Sequence, residues 1–194
     1  SSLIHDVFTQ TPSYPNLIET LTRLSKADSP AHRAVALTTL STLVLFAETD
    51  TTLNRLALRL TLESMKDVPE VVVAGLSLYK SCVEISDLNG KEVMKEACKL
   101  YPTVLSVAER LLQTAPAFST KAIEAVLEMN ELALFSAYVA DTARFGLVGC
   151  QLEGTAAIPA MELLVSLAAM FQLSDVILRS IYEVLFRWLS TVTD

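Results

Sequence analysis

The sequence predicts an all-α fold, a right-handed α-α superhelix of about four antiparallel helix pairs followed by a terminal helix. Three observations predict it. The 194 residues are 52% hydrophobic with only 5 Gly and 7 Pro, which favours helices around a sizeable core. The one Asn-Gly pair, Asn89-Gly90, lies between helical patterns rather than between strands. A turn-and-helix pattern also recurs four times along the chain.

The four repeated segments share a turn followed by a helix. They are DSPAHRAVALTTLSTLV (28–44), DVPEVVVAGLSLYKSCV (67–83), TAPAFSTKAIEAVLEMN (114–130) and LEGTAAIPAMELLVSLA (152–168). The third place in each segment is a turn residue: Pro30, Pro69, Pro116 or Gly154. These places are separated by 39, 47 and 38 residues. That period fits a two-helix repeat of about 40 to 47 residues.

Each repeated helix carries one apolar face. The residues six, seven, ten and thirteen places after the turn residue are small or apolar, which is the spacing of one side of an α-helix. They are Ala36, Leu37, Leu40 and Leu43; Gly75, Leu76, Tyr79 and Cys82; Ala122, Ile123, Val126 and Met129; and Ala160, Met161, Leu164 and Leu167. The small residue at the sixth place is predicted to let a neighbouring helix approach closely.

An antiparallel partner should precede each repeated helix. The predicted partners are 15–27, 52–66, 102–114 and 138–151. Pro15 and Pro102 then fall in first helical turns, where a missing N–H costs nothing. A short extra helix at 91–100 explains the 47-residue spacing, a last helix at 176–192 starts a further unit, and 3–10 is read as the remnant of an earlier one.

These elements form one predicted domain over 1–194 that looks cut from a longer array. Its repeats are placed at about 14–48, 52–87, 102–132 and 138–171, with the final helix at 175–192.

The net charge and the small number of cysteines and histidines argue against two kinds of function, nucleic-acid binding and metal binding. A net charge of −7, from 15 basic and 22 acidic residues, argues against direct nucleic-acid binding and suits either basic protein partners or simple solubility. The widely spaced Cys82, Cys98 and Cys150 are interpreted as reduced residues of an intracellular protein. With only His5 and His32 beside them, no metal site is expected.

No segment indicates membrane insertion or catalysis. The N-terminal residues do not resemble a signal peptide, and the apolar stretch 155–171 contains Pro159 and Glu162, so it is predicted to be a buried helix. The chain has no GxGxxG, P-loop, GxSxG or HExxH motif. We therefore expect neither an enzyme nor a cofactor.

The first segment resembles a HEAT repeat. Asp28, an arginine five places on at Arg33, and then Ala36 and Leu40 at helical spacing reproduce its core. In HEAT arrays the Asp and Arg form ladders between neighbouring repeats, so Asp28 and Arg33 are predicted to serve the stack. The other segments carry Val72, Ser119 and Ala157 at the arginine place, and we expect the array to lack a charge ladder.

A longer stretch, 101–170, resembles the N-terminal middle repeats of importin-β-superfamily karyopherins, especially the large importins that carry ribosomal proteins and histones. The matching parts are 123–131, 138–151 and 160–168, and 14–48 is similar to the preceding repeat. The resemblance implies a non-enzymatic nuclear import receptor that shuttles between cytoplasm and nucleus. Its implied partners are cargo with a basic localisation signal and, for the full-length parent, Ran GTPase and nucleoporins.

Acids and an amide near the C-terminal ends of the repeated helices are the candidate partner-binding residues. In HEAT arrays the second helix of each repeat lines the concave surface. The predicted residues on that surface are Glu84, Asp87, Glu128, Asn130 and Glu131, with Glu48 and Asp50 nearby. Carboxylates pair with Lys or Arg, and Asn both donates to and accepts from a peptide backbone. The alternative is a solvated helix face.

Two further alternatives stay open. Phe186 and Trp188 on the last helix fit either a pocket for phenylalanine repeats or packing against a next repeat, and in the latter case an exposed apolar patch should promote association. The same fold would also serve a HEAT scaffold subunit of a phosphatase, RNA-processing or chromosome-organising assembly.

Overall fold

The structure is a computed structural model that describes residues 15–86, 88–130, 135–152 and 154–192. Over these residues the chain forms helices joined by turns, with no strand. The helices are α1 (Pro15–Leu24), α2 (Pro30–Phe46), α3 (Thr51–Ser64), α4 (Pro69–Glu84), α5 (Lys91–Thr114), α6 (Ser119–Asn130), α7 (Val139–Gly149), α8 (Ala157–Met170) and α9 (Asp175–Val192). Single 3-10 turns, Pro116–Phe118, Ser136–Tyr138 and Gly154–Ala156, precede α6, α7 and α8.

The chain divides into two compact units, 1–99 and 100–194, with the boundary inside α5.

In the first unit, α2 and α4 pack against each other in parallel. Side-chain hydrogen bonds connect them near the start, in the middle and at the end. Arg33 in α2 donates a hydrogen bond to Asp67, which lies just before α4. Ser41 Oγ donates to the carbonyl of Ser77 and shares a hydrogen bond with the hydroxyl of Ser81. Asn89 Nδ2 donates to the carbonyl of Glu48. The partners are 34 to 41 residues apart in sequence, close to the predicted repeat period.

Helices α3 and α4 form an antiparallel pair with a close contact at Gly75. A Cβ placed on Gly75 would lie 2.9 Å from Ser64 Cβ and would clash with Ser64 Oγ, so only glycine fits at this spacing. Further along, Asn54 Nδ2 contacts the carbonyl of Cys82 at 3.5 Å. The predicted close approach at the sixth place is therefore confirmed in this pair.

In the second unit, α8 packs against both α6 and α7. A Cβ on Gly149 of α7 would lie 2.8 Å from Ala160 Cβ, and one on Gly146 would lie 2.7 Å from Leu164 Cδ2, so α7 and α8 are antiparallel. Helix α9 contacts α7 and α8 and buries Ile181.

A buried aromatic group links α5 with the turn before α7. Tyr101 stacks on Phe135 with ring centroids 3.9 Å apart, and its hydroxyl lies 2.9 Å from Thr142 Oγ1. On the surface, Arg144 reaches Glu109. These two contacts bring α5 beside α7, again with partners 35 and 41 residues apart.

The predicted apolar faces are confirmed. Every residue at the sixth, seventh, tenth and thirteenth places of the four segments is buried. This face is what each repeated helix contributes to the core of its unit.

The prediction of a separate helix at 91–100 followed by a new one at Pro102 is wrong, because α5 runs through Pro102 without a break. The proline removes one intrahelical hydrogen bond. However, buried residues recur every three or four positions on both sides of it, at Val93, Ala97, Tyr101, Val104 and Ala108. Burial of this continuous stripe outweighs the loss of one bond.

Other predicted boundaries differ slightly. Helix α1 ends at Leu24 and α3 at Ser64, short of the predicted 27 and 66, and α7 is shorter than 138–151 at both ends. The prolines at 15, 30 and 69 begin their helices as predicted, whereas Pro116 begins a 3-10 turn. The predicted remnant at 3–10 lies outside the described residues.

Candidate functional site

Only part of the predicted acidic surface falls within the described residues. Glu84 is exposed at the last position of α4 in the first unit, and Glu128 is exposed in the last turn of α6 in the second. Asp87, Glu131 and the side chain of Asn130 lie outside the described residues. The structure therefore places one predicted acid in each unit at the end of a repeated helix.

Asn89 organises the C-terminal ends of α2 and α4. Its Nδ2 donates to the carbonyl of Glu48 at 2.5 Å and to that of Ile85 at 3.1 Å, which ties the end of one repeated helix to the end of the next. Glu48 and Glu84 are both exposed at this end of the first unit. The tether made by Asn89 was not predicted, although the position of this residue in the only Asn-Gly pair of the sequence marked a turn.

The position of Glu84 suits a basic ligand. The C-terminal end of a helix carries a partial negative charge, which typically disfavours an acid there by about 0.3–1 kcal/mol. Glu84 is exposed at the last position of α4. A bound cation would remove this cost.

Asp50 has a structural role. Its Oδ1 accepts hydrogen bonds from the backbone N–H groups of Thr52 and Leu53, both at 3.0 Å, and so caps the N-terminus of α3. This carboxylate is engaged with the backbone, and Glu48 is the better candidate for a ligand contact at this end.

Arg33 forms a charged link between the first two segments. Its Nε and Nη2 donate to Asp67 Oδ2 and Oδ1, each at 2.7 Å, and Nη1 donates to the carbonyls of Ala27 and Asp28, also at 2.7 Å. The expectation that the array lacks a charge ladder is wrong here, because the partner is Asp67 of the next segment. Asp28 contributes its carbonyl and its nearby charge.

The link shifts the pKa of both groups. The hydrogen bonds from Arg33 lower the pKa of Asp67 below its ordinary value, and the bond from the Val68 N–H adds to the effect. Bonding to Asp67 raises the pKa of Arg33. The two side chains are only 17% and 21% exposed, which favours a structural rather than a ligand-binding role.

None of Cys82, Cys98 and Cys150, which the structure describes, forms a disulfide. Burial raises the pKa of Cys82 strongly and that of Cys150 to about 11, so both stay protonated at neutral pH.

Within the described ranges, no three residues of the His, Cys, Asp and Glu types are grouped as ligands for a metal ion. None of the described helices combines the length and apolar character needed to span a bilayer.

The last helix exposes a large apolar surface. Phe186 is 72% exposed and Trp188 39%. Trp188 and Leu189 line an apolar groove together with Ile158, Met161 and Val165 of α8, and Phe186 lies on the other exposed side of α9, beside Tyr182 and Leu178. The structure thus separates the two aromatic residues that the sequence had grouped.

A scan against protein-family models found no matching family, and searches of curated proteins and of solved structures found no match either.

Proposed function

We propose that this chain is a protein-binding scaffold built from HEAT-type repeats, arranged as a right-handed α-α superhelix. The observation that supports this best is the repeated packing within each unit. Successive repeated helices, α2 with α4 and α6 with α8, lie side by side, and α4 and α8 each pack against an antiparallel helix, α3 and α7 respectively. Within each unit, long-range side-chain hydrogen bonds join described residues 34 to 41 positions apart, as stacking of like elements requires.

Within that class we propose a nuclear import receptor of the importin-β superfamily that binds basic cargo. This rests on the sequence resemblance over 101–170 and 14–48 and on the net charge of −7. The acids at the ends of α4 and α6 supply carboxylates for Lys or Arg side chains of a localisation signal. Ran-GTP would regulate release in the full-length parent, and the chain itself performs no chemistry.

Titration of a fluorescent Lys/Arg-rich localisation peptide tests this proposal. We expect weak binding that decreases at high salt, because exposed charge pairs are screened. The variant Glu84→Gln/Asp87→Asn/Glu128→Gln/Glu131→Gln should bind at least about fourfold more weakly, given about 0.2–1 kcal/mol for each exposed ion pair. The two halves of this variant, made separately, assign the loss to each unit.

Matched controls lie on the same helices. Glu70→Gln in the first turn of α4 and Glu124→Gln near the middle of α6 remove exposed acids away from the C-terminal ends. Both should bind like the wild type. Equal binding by the fourfold variant and the wild type would exclude these four acids as cargo-binding residues. A pull-down of the full-length parent with Ran-GTP then separates a transport receptor from a scaffold of another assembly.

A further inference from the structure

The outer side of α9 is unusually exposed for a helix of such apolar composition. Val176 is 76%, Tyr182 59% and Phe186 72% exposed, whereas Ile181 is 3% exposed and faces the unit. Leu178, Tyr182 and Phe186 are spaced four residues apart and form one apolar ridge along the outer side.

A second ridge beside it carries alternating charges. Asp175, Arg179, Glu183 and Arg187 are also four residues apart, so negative and positive groups alternate over about 18 Å of helix. All four are exposed, and none lies within 4.0 Å of an opposite charge elsewhere in the described ranges.

This charge order is self-complementary about residue 181. If two α9 helices pack antiparallel around a two-fold axis at that residue, Asp175 lies beside Arg187 of the other copy, and Arg179 lies beside its Glu183. Each copy makes the same contacts, so all four charges on both helices find an opposite partner. Ridges of the i, i+4 type run side by side when helices cross at about −50°, the commonest packing class.

The apolar ridge supplies the attraction and the charged ridge sets the register. Pairing would bring Leu178, Tyr182 and Phe186 against the partner helix and remove them from water. A two-fold symmetric contact of this kind is isologous and closes as a dimer. A parallel arrangement in register would instead oppose like charges and is disfavoured.

We propose that α9 is a homodimer interface, and that its occupant is α9 of a second copy of this chain. The proposal does not depend on the import function. It requires only the exposed face of α9 and its charge order.

Sedimentation of the 194-residue chain over a range of concentrations tests the proposal. We expect a reversible monomer–dimer equilibrium. Arg179→Glu places a glutamate opposite Glu183 of the other copy at both of these contacts, and Glu183→Arg places an arginine opposite Arg179. Either change alone should therefore raise the dimer dissociation constant about tenfold or more. Lys121→Glu on α6 makes the same change in net charge as Arg179→Glu from an exposed position and should leave association unchanged.

Combining the two changes tests whether residues 179 and 183 of the two copies lie opposite each other. A mixture of Arg179→Glu chains with Glu183→Arg chains should form a heterodimer, and a chain with both changes should form a homodimer again, because every contact regains opposite charges. Phe186→Ala should weaken association in all of these backgrounds. A wild type that stays monomeric throughout, or single variants that associate as well as the wild type, would overturn the proposal. So would failure of the mixture and the double variant to associate while their circular dichroism shows intact helices.

Discussion

Arg33 and Asp67 form a bidentate ion pair with two N···O distances of 2.7 Å, and the pair joins the first turn of α2 to the turn before α4. The same guanidinium also binds the carbonyls of Ala27 and Asp28. One side chain thus holds two successive turns in register. Bidentate pairs with such geometry are the strongest class of ion pair, because the planar arginine matches the carboxylate.

The pair should stabilise the first unit cooperatively. Arg33→Ala and Asp67→Ala each leave a partly buried charge without its partner, so each should lower the free energy of unfolding. The double variant should lose less than the sum of the single losses, as measured by urea unfolding. Arg55→Ala, which removes an exposed pair with Glu96, is the matched control and should have the smallest effect. A double variant whose loss of unfolding free energy equals the sum of the two single losses would contradict coupling between the two side chains.

The pair also predicts a pH dependence. The pKa of Asp67 is lowered in the folded state, so its contribution is present above the ordinary carboxyl pKa and is lost as the pH falls below it. The stability difference between the wild type and Asp67→Asn should stay constant from about pH 7 to about pH 5 and shrink as the pH falls below about 4. Chemical unfolding of both chains at each pH measures it. A difference that grows towards low pH would have the wrong sign.

Gly75 should be irreplaceable at its contact with α3. Gly75→Ala places a Cβ against Ser64 and should destabilise by about 1–3 kcal/mol, despite the better helix propensity of alanine. Adding Ser64→Gly should recover part of the loss in thermal unfolding. Gly90→Ala is the control, because Gly90 has a positive φ of 88° and no atoms near its Cβ position. The loss of stability in Gly90→Ala comes from the positive φ, which alanine disfavours, so adding Ser64→Gly should not reduce that loss.

The aromatic stack of Tyr101 and Phe135 should stabilise the second unit more through burial of the rings than through hydrogen bonding. Phe135→Ala removes a fully buried ring and should cost about 3–5 kcal/mol. Tyr101→Phe removes only the hydroxyl, and Thr142 keeps its bond to the carbonyl of Tyr138, so the cost should be about 0.5–1.5 kcal/mol. Calorimetry of both variants measures the order. A larger loss for Tyr101→Phe would show that the hydroxyl pair dominates.

The repeat pattern predicted the core closely, because burial of an apolar helix face depends on local periodicity. Ala36, Leu76, Val126 and Leu164 are buried where the spacing placed them. Pro102 was misread since a proline is a local signal for a helix start, whereas the continuous apolar stripe across it decided the outcome.

The candidate site was predicted less well. Glu84 and Glu128 were correctly assigned to helix ends, but Asp50 proved to be a helix cap. No prediction linked Asp67, the first residue of the second repeated segment, to Arg33. Its alignment one repeat after Asp28 was the available signal that it would meet Arg33.

The order of helices, their apolar faces and the excess of acids follow from the sequence alone, because each depends on residue type and spacing along the chain. The partner of Arg33, the contact of Gly75 with Ser64, the tether made by Asn89 and the exposed side of α9 were decided by tertiary structure. Each of them depends on which helices lie side by side and at what distance. Packing between residues remote in sequence sets that distance, and local periodicity carries no information about it.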